Sequence, residues 1–440
     1  MVLDKETMNK LMVTLIVIII LAGVYAGALL TMKRYGLSPQ TPETTIKIGC
    51  SYSSTGPFAE ISQEIMKGLE LWAEDANTYG IDVGGKIYGV ELVCKDIKDD
   101  KITAETAYNA MIKKDKVTFL VGPASNELSD AVIDVAEANH KPLILTFADN
   151  DNLFTGSNYK YTFMLMAPLS KQIQTTIQAL KQIDPNLTQI AIIYENATYS
   201  STIYSKLRTQ ISVLHGYSIV YEKSYTDNPA ALVNEIVKTR ANPQVIFIVA
   251  EKADGLAKAI TSIRQADITT LKAIVVFAPE TSIYTASEQV GNLMEGVIYV
   301  SQWEPVAPFN PIFAANLGLD WYGYTTTEDF VSKYTNKYGD EPSYYAAIGY
   351  TAGLLLQAAM EATKSVDPTV ISKALLNMHL MTFYGPIGFQ GSDWYPGGYP
   401  GFQEAHDVLL VQYQLEGNNL VKVVIWPDTY ATGQILYPLP

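Results

Sequence analysis

The sequence predicts an α/β fold of two doubly wound parallel-sheet lobes that form a hinged clamshell, preceded by an N-terminal transmembrane helix. Three observations carry this prediction. Short apolar segments alternate with amphipathic ones, the alternation restarts near residue 189, and residues 11–30 contain no charge. Continuous apolar strands separated by amphipathic helices are typical of a parallel sheet covered on both faces. A chain of 440 residues is long enough for two such units.

The first series of elements begins after a short polar linker. The first helix is predicted by apolar residues that recur at intervals of four, four, three and four, on one helical face: Ile61, Ile65, Leu69, Trp72 and Ala76. Around it we predict strands at 46–52, 90–94, 117–121 and 142–147, and helices at 104–113 and 128–135. The alternation places these elements in one parallel sheet with helices on both faces.

The second series has a similar size and the same alternation. We predict strands at 189–194, 217–221, 245–249, 273–277 and 297–300, and helices at 202–214, 230–240 and 253–266. Later segments return to the two lobes, with helices at 344–362 and 369–378 and β segments at 408–412 and 420–426. Because ligands of open α/β sheets bind beyond the carboxyl ends of the strands, two facing lobes would share one cleft.

The amino terminus predicts attachment to a membrane. Residues 11–30 are long enough, at 1.5 Å per residue, to cross the hydrocarbon core of a bilayer. A cleaved signal peptide with a site at 26–28 is the alternative. Basic residues on both sides leave the orientation open, but scarce cysteine and acceptor sequons at 186–188 and 196–198 favour an outside-facing soluble domain.

These segments give a predicted domain organisation. Residues 1–34 form the membrane anchor or signal segment, and residues 35–45 form a linker. Lobe 1 is predicted to contain residues 46–166 and 302–379, and lobe 2 to contain residues 167–301 and 380–440.

Composition and missing motifs exclude several classes of protein. A formal net charge of −14 disfavours binding to a nucleic-acid backbone. The sequence has no phosphate-binding loop, no dinucleotide fingerprint and no nucleophile elbow, so we expect neither an enzyme nor a cofactor. Residues 149–152 begin like a calcium loop but lack its glycine, so we expect no metal. Cys50 and Cys94 fall on predicted neighbouring strands; we expect buried free thiols and keep a disulfide as the alternative.

Several short strings, in order, resemble one family. They are 48–59 (IGCSYSSTGPFA), 84–89 (GGKIYG), 119–125 (FLVGPAS), 142–146 (PLILT), 277–280 (FAPE) and 384–389 (YGPIGF). Their order and spacing over residues 45–440 resemble periplasmic-binding-protein-like type I receptors, and most closely the branched-chain amino-acid-binding proteins of ABC transport systems. The resemblance implies a cleft that closes on a small polar ligand, an amino acid or a related amide or amine. It also implies delivery of that ligand to a permease with ATPase subunits.

The resemblance also implies roles for residues that match the family's motifs. Ser125 and Asn126 match the loop that holds the ligand's carboxylate, with plain helix capping as the alternative. Glu280 matches the carboxylate that binds the ligand's ammonium group, and Tyr199 matches a tyrosine of the cleft.

Other positions are weaker candidates or depart from the family. Asp149 and Asn150 stand where relatives carry small residues and a threonine. This departure favours a cationic or amide-bearing ligand over a simple aliphatic amino acid, with a solvent-exposed turn as the alternative. Further candidate ligand contacts, from the first loop and from the cleft walls, are Ser54, Thr55, Trp303 and Tyr345. A membrane-tethered sensor is the alternative function, although only about ten residues precede the apolar segment.

Overall fold

The computed structural model describes residues 38–155, 157–214, 216–389 and 399–440. The predicted transmembrane segment, the sequence before it and the start of the linker lie outside these residues. Within the described ranges, no helix combines the length and apolar character needed to cross a bilayer.

The first sheet has six strands in the order β2-β3-β1-β4-β5-β6. The strands are β1 Thr44–Tyr52, β2 Ile81–Val83, β3 Lys86–Asp96, β4 Phe119–Val121, β5 Leu143–Leu145 and β6 Thr162–Met164. Five of them run parallel, and only the short edge strand β2 pairs antiparallel with β3. The predicted parallel sheet is therefore confirmed, although the sequence analysis missed β2 and β6.

The second sheet has seven strands in the order β15-β14-β11-β10-β9-β7-β8. They are β7 Gln189–Glu195, β8 Ser218–Tyr225, β9 Val245–Val249, β10 Ala273–Phe277, β11 Val297–Ser301, β14 Leu409–Glu416 and β15 Asn419–Trp426. β7 to β11 are parallel, and β14 and β15 extend the sheet as antiparallel strands. In both sheets the first strand lies between the second and third parallel strands, which is the doubly wound order.

Helices cover the sheets and fill the later part of the chain. They are α1 Ala59–Tyr79, α2 Lys101–Ala110, α3 Asn126–Ala138, α4 Leu169–Ile183, α5 Thr198–Val213, α6 Pro229–Thr239, α7 Ala253–Gln265, α8 Glu280–Val290, α9 Pro311–Asn316, α10 Thr327–Tyr338, α11 Tyr344–Thr363 and α12 Pro368–Leu376. α2 continues as a short π-helical turn, Met111–Asp115. The sequence analysis missed α4, α8, α9 and α10.

The apolar face predicted for α1 is buried against the rest of lobe 1. Leu69 and Trp72 have no exposed surface. The indole N–H of Trp72 donates a hydrogen bond to the side chain of Gln357 on α11, at 3.1 Å. α11 is buried over residues 344–360, because it is apolar on nearly every face. The two helices approach so closely that a Cβ at Gly68 would clash with the Ala346 carbonyl oxygen.

A short hairpin follows α12. Its strands are β12 His379–Thr382 and β13 Gly385–Gly388. The ring of Phe383 in the turn packs against Phe330 of α10 and Tyr350 of α11, with centroids 4.5 and 5.3 Å away. The boundaries given above for the two lobes stay a prediction.

The two cysteines are joined. Cys50 on β1 and Cys94 on β3 lie opposite each other in register, with their Cα atoms 4.3 Å apart, and form a disulfide. The expectation of free thiols is therefore wrong and the alternative holds. The reason is the register, which places the two side chains at directly paired positions of neighbouring parallel strands.

The disulfide yields a prediction about stability. Replacing both Cys50 and Cys94 by alanine should lower the free energy of unfolding by about 2–4 kcal/mol, because the bond restricts the unfolded chain. Urea unfolding, with and without a reductant, measures this difference. The reductant should destabilise the natural protein and leave the double variant unchanged. Equal stability of both proteins under oxidising conditions would contradict the prediction.

The contact between α1 and α11 yields a second prediction. Gly349→Ala should destabilise the protein by about 1–3 kcal/mol, because its new Cβ would collide with the backbone carbonyl of Ile65. Thermal unfolding measures the change. The matched control is Gly255→Ala in α7, where the nearest atom is the Tyr225 hydroxyl at 3.1 Å, the end of a side chain that can shift. A loss no larger at Gly349 than at Gly255 would show that the helices can separate without cost.

Candidate functional site

The main candidate site is a cleft between the carboxyl-terminal edges of the two sheets. A cavity of about 540 Å³ opens there, within the range of small-molecule sites. Its walls come from the loops after β1, β4 and β5 on one side and after β7 and β9 on the other, and include Phe58, Asn126, Asp149, Tyr199 and Glu251. The strand order reverses at β1/β4 and at β7/β9, the point where doubly wound sheets bind ligands.

The loop after β4 ends at the first turn of α3. Ser125 is almost fully buried, and its hydroxyl accepts a hydrogen bond from the Leu128 N–H at 3.1 Å. The capping role that the sequence offered as an alternative is therefore present. Ser125 also lines the cavity, so the amino-terminal end of α3, with its partial positive charge, faces the cleft.

Asn126 joins the loop after β4 to the loop after β5. Its amide nitrogen donates to the Asp149 carboxylate at 2.9 Å. Its amide oxygen accepts hydrogen bonds from the N–H groups of Asp149 and Asn150, at 3.0 and 3.1 Å. Every polar atom of this side chain thus fixes the neighbouring loop, which determines where the Asp149 carboxylate lies in the cavity wall.

Asp149 is the buried carboxylate of the site, with 6% of its surface exposed. Its second oxygen accepts a hydrogen bond from the Gln172 amide nitrogen at 3.2 Å. Burial raises the pKa of Asp149, and the hydrogen bonds from Asn126 and Gln172 act in the opposite direction. The Leu169 N–H donates to the Asp149 carbonyl at 2.7 Å. The loop therefore contacts the start of α4, where the chain passes to the second sheet.

The mouth of the cleft carries an ion pair. Lys206 on α5 lies 3.2 Å from the carboxylate of Asp151, which also accepts a hydrogen bond from the Ser170 hydroxyl. Asp151 belongs to the loop after β5 in the first sheet, whereas α5 covers the second sheet. The pair therefore bridges the two sides beside a more open, polar cavity of about 710 Å³.

On the second side, Tyr199 lies in the first turn of α5 and Glu251 follows β9. The buried Glu195 holds the second loop by accepting hydrogen bonds from the N–H groups of Glu251 and Lys252, at 2.8 and 3.0 Å. Burial, with the nearby acidic groups Tyr345, Asp149 and Glu251, raises the pKa of Tyr199. Burial and Glu195 together raise the pKa of Glu251.

A row of aromatic rings fills the inner part of the cleft. Phe58 contacts Phe147, and Phe147 contacts Tyr345, with ring centroids 5.8 and 5.6 Å apart. The Tyr344 hydroxyl donates to the Tyr345 hydroxyl at 2.8 Å. Behind this row the remaining cavity measures only about 20 Å³, about the space of one water molecule. A ligand must therefore bind on the outer side of the rings.

Glu280 lies behind the rings, and the structure does not place it among the walls of the main cavity. It begins α8 and is 8% exposed. Its carboxylate accepts a hydrogen bond from the Tyr344 N–H at 2.7 Å, so it caps the first turn of α11. Burial and Glu304 raise the pKa of Glu280, while Lys422 acts in the opposite direction. The carboxylate that the resemblance assigns to the ligand thus holds two helices together here.

Four other residues predicted from the sequence also lie outside the cavity walls. The backbone N–H and hydroxyl of Ser54 both donate to Asp96, and Thr55 is exposed. Trp303 is fully buried, and its indole N–H donates to the Phe383 carbonyl at 2.9 Å. Tyr345 does not line the cavity and packs behind it, against the ring of Phe147. The structure does bring Ser125, Asn126, Asp149, Asn150 and Tyr199 together.

Sequence reasoning missed three prominent members of the site. Phe58, Phe147 and Glu251 all line the cavity. Phe147 ends a predicted strand and Glu251 follows the carboxyl end of another, which was the available signal. Phe58 belongs to the string 48–59, but the string does not show that its side chain lines the cavity. That depends on how the loop after β1 turns.

Two parallel α/β sheets around one shared cleft define a bilobal ligand-binding protein. Residues 45–397 match the family model described as periplasmic binding protein, and the chain belongs to that family. It is a branched-chain amino-acid-binding-like member of type I, as the resemblance in its sequence predicted.

Individual relatives are distant but match over most of the chain. A Leu/Ile/Val-binding protein homolog from Brucella abortus is 23% identical over 415 residues, covering 92% of this chain and 96% of that protein. The structure is similar to the branched-chain amino acid transporter substrate-binding protein of Streptococcus pneumoniae in complex with isoleucine. That match has a TM-score of 0.63 and 20% identity, and covers 87% of this chain and 100% of the other.

A second solved structure carries a different ligand on the same fold. It is a solute-binding protein of an ABC transporter from Rhodopseudomonas palustris in complex with 3,4-dihydroxybenzoic acid. The TM-score is 0.65 at 16% identity, covering 90% of this chain and 99% of that one. At such identities these structures establish the fold and leave the ligand of this chain to its own residues.

The hydrogen bonds of Asn126 yield a third prediction. Asn126→Ala should lower the free energy of unfolding by about 1–3 kcal/mol, because it leaves the Asp149 and Asn150 N–H groups without their acceptor. Thermal or urea unfolding without ligand measures the change. The control is Asn109→Ala, since the Asn109 side chain bonds one carbonyl, that of Glu105 one turn earlier in α2, and this bond is exposed. Similar effects of the two substitutions would contradict the prediction.

Proposed function

We propose that this chain is the extracytoplasmic solute-binding component of an ABC importer. It captures a small polar ligand, an amino acid or a related amide or amine, between its two lobes and delivers it to a membrane permease. The observation that supports this most is the cavity of about 540 Å³, whose walls come from loops of both sheets. A ligand in that position contacts both lobes at once, so it binds the closed arrangement best and stabilises it.

We further propose that the soluble domain faces outward and is anchored by residues 11–30. Family membership supports the outward orientation. The Cys50–Cys94 disulfide supports it independently, since such bonds persist mainly in oxidising compartments. The mass of the mature protein distinguishes an uncleaved anchor from a signal peptide removed after Ala28. A purified protein that begins beyond residue 28 would remove the anchor from the proposal.

The proposed protein differs from the alternative, a membrane-tethered sensor, because its ligand is imported by partner subunits. A sensor would pass a signal to an output module and would not move the ligand across the membrane. The protein itself carries out no reaction in this proposal, so the ligand should be recovered unchanged. Turnover of the ligand by the pure protein would contradict this point.

The proposal predicts stabilisation by ligand. Full-length protein in a mild detergent should unfold at a higher temperature when it is mixed with one class of small polar solute, because a ligand that binds only the folded state shifts the equilibrium. At about 100 times its Kd, the gain is about 2.7 kcal/mol. Amino acids, amides, ureas and short peptides form the screen, with sucrose as the control for non-specific effects. No selective shift from any member would contradict the proposal.

A further inference from the structure

The charge on the walls of the main cavity is strongly unbalanced. Among the described residues that line it, four carry carboxylates: Asp99, Glu127, Asp149 and Glu251. One of the lining residues carries an ammonium group, Lys101, and it is exposed at the rim. A cavity of this composition repels anions and attracts cations before any contact is made.

Asp149 is the most deeply buried carboxylate in this cavity, and it has no ion-pair partner in the described part of the chain. It is 6% exposed, and each of its oxygens accepts one hydrogen bond, from a neutral amide. Among the described residues, no lysine or arginine lies within 4.0 Å of it. A buried carboxylate without a counter-ion is unfavourable, and both its oxygens keep the capacity to accept a further hydrogen bond.

Glu280, the carboxylate that the family resemblance assigns to the ligand's ammonium group, makes its hydrogen bond outside the main cavity. Glu280 accepts the Tyr344 N–H behind the aromatic row, and the inner cavity beside Phe147 and Tyr344 has a volume of only about 20 Å³. A ligand on the outer side of Phe147 and Tyr199 can therefore contact Asp149 but not Glu280. The loop after β10 therefore offers the main cavity no carboxylate from Glu280, whereas the loop after β5 offers Asp149.

Aromatic rings complete the environment of a cation. Phe58, Phe147 and Tyr199 line the same cavity as Asp149. The faces of aromatic rings attract ammonium and guanidinium groups, and the attraction increases when water is excluded. Glu251 lies on the opposite wall, across from Asp149, where it can balance a second positive charge.

We propose that the ligand of this cleft is a small organic cation, with an ammonium or guanidinium group held by the Asp149 carboxylate between the rings of Phe147 and Tyr199. This inference rests on the proposed function, because it names the ligand class of the same cleft. Asn126 and Gln172 act as positioning residues, since their amides orient the carboxylate. A dication reaches Glu251 with its second charge.

Matched probes test the proposal on the full-length protein in detergent. The cations are choline and agmatine, and the neutral probe is 3,3-dimethyl-1-butanol, which has the shape of choline without its charge. Isothermal titration and thermal unfolding should show binding of at least one cation, at least about tenfold tighter than binding of the neutral probe. Equal binding of the cations and the neutral probe would overturn the inference.

Substitutions of Asp149 and Glu251 test which carboxylates of the cavity bind the cation. Asp149→Asn should weaken cation binding by about tenfold or more, and Asp149→Glu should restore part of it. Glu251→Gln, at a half-buried position that tolerates substitution better, should weaken agmatine more than choline. The control is Glu416→Gln, an exposed carboxylate at the distant turn between β14 and β15, which should bind like the natural protein. Unchanged cation affinity in the folded Asp149→Asn and Glu251→Gln variants would overturn the inference.

The same titrations separate this inference from the proposed function. If isoleucine or another amino acid stabilises the protein and the cations do not, the cation inference fails while solute binding stands. If the cations bind and Asp149→Asn abolishes that binding, both stand. If neither the cations nor any amino acid, amide, urea or short peptide stabilises the protein, both fail.

Discussion

Parallel pairing of strands is the constraint on which the functional cleft depends. It brings all the carboxyl ends of β1 and β3 to β6 to one edge of the first sheet, and those of β7 to β11 to one edge of the second. Loops that are far apart in the sequence therefore meet, as those carrying Asn126, Asp149 and Glu251 do. The helices cover the faces of the two sheets and leave these edges open.

The loop after β5 supplies the buried carboxylate of the candidate site and also connects the two sheets. Asp149 is tied to Asn126 in the first sheet and to Gln172 on α4, and Asp151 is tied to Lys206 on α5. One short segment thus contacts the ligand cavity, the crossing between the lobes and the mouth of the cleft. A substitution here changes the charge seen by a ligand and the connection between the lobes together.

The sequence predicted the architecture well because hydrophobic periodicity reports burial directly. The two series of parallel strands, the long buried helix α11 and the final hairpin of β14 and β15 were all expected. The missed strands β2 and β6 have only three residues each, whereas the missed helix α4 does carry apolar residues at helical spacing, Ile173, Ile177 and Leu180. A segment of three residues is too short to show hydrophobic periodicity. Whether it forms a strand depends on the strands that lie beside it in space.

The site was predicted less completely, for a physical reason. Motifs place residues on loops after strands, which identified Ser125, Asn126, Asp149 and Tyr199. They do not report which side chains turn inward. Glu280 follows its strand as the resemblance requires, yet Tyr344 and Tyr345 fill the space before it and its carboxylate bonds to the backbone of α11. The side-chain volume at the start of α11 therefore keeps Glu280 out of the main cavity.

The disulfide between β1 and β3 has a consequence for the order of biogenesis. Cys50 lies a few residues before the loop that carries Phe58, in the strand at the centre of the first sheet. Bonds of this kind form and persist mainly in oxidising compartments. Under the proposed outward orientation, the central strand is joined covalently to its neighbour only after the chain has crossed the membrane, in the compartment where the protein would meet its solute.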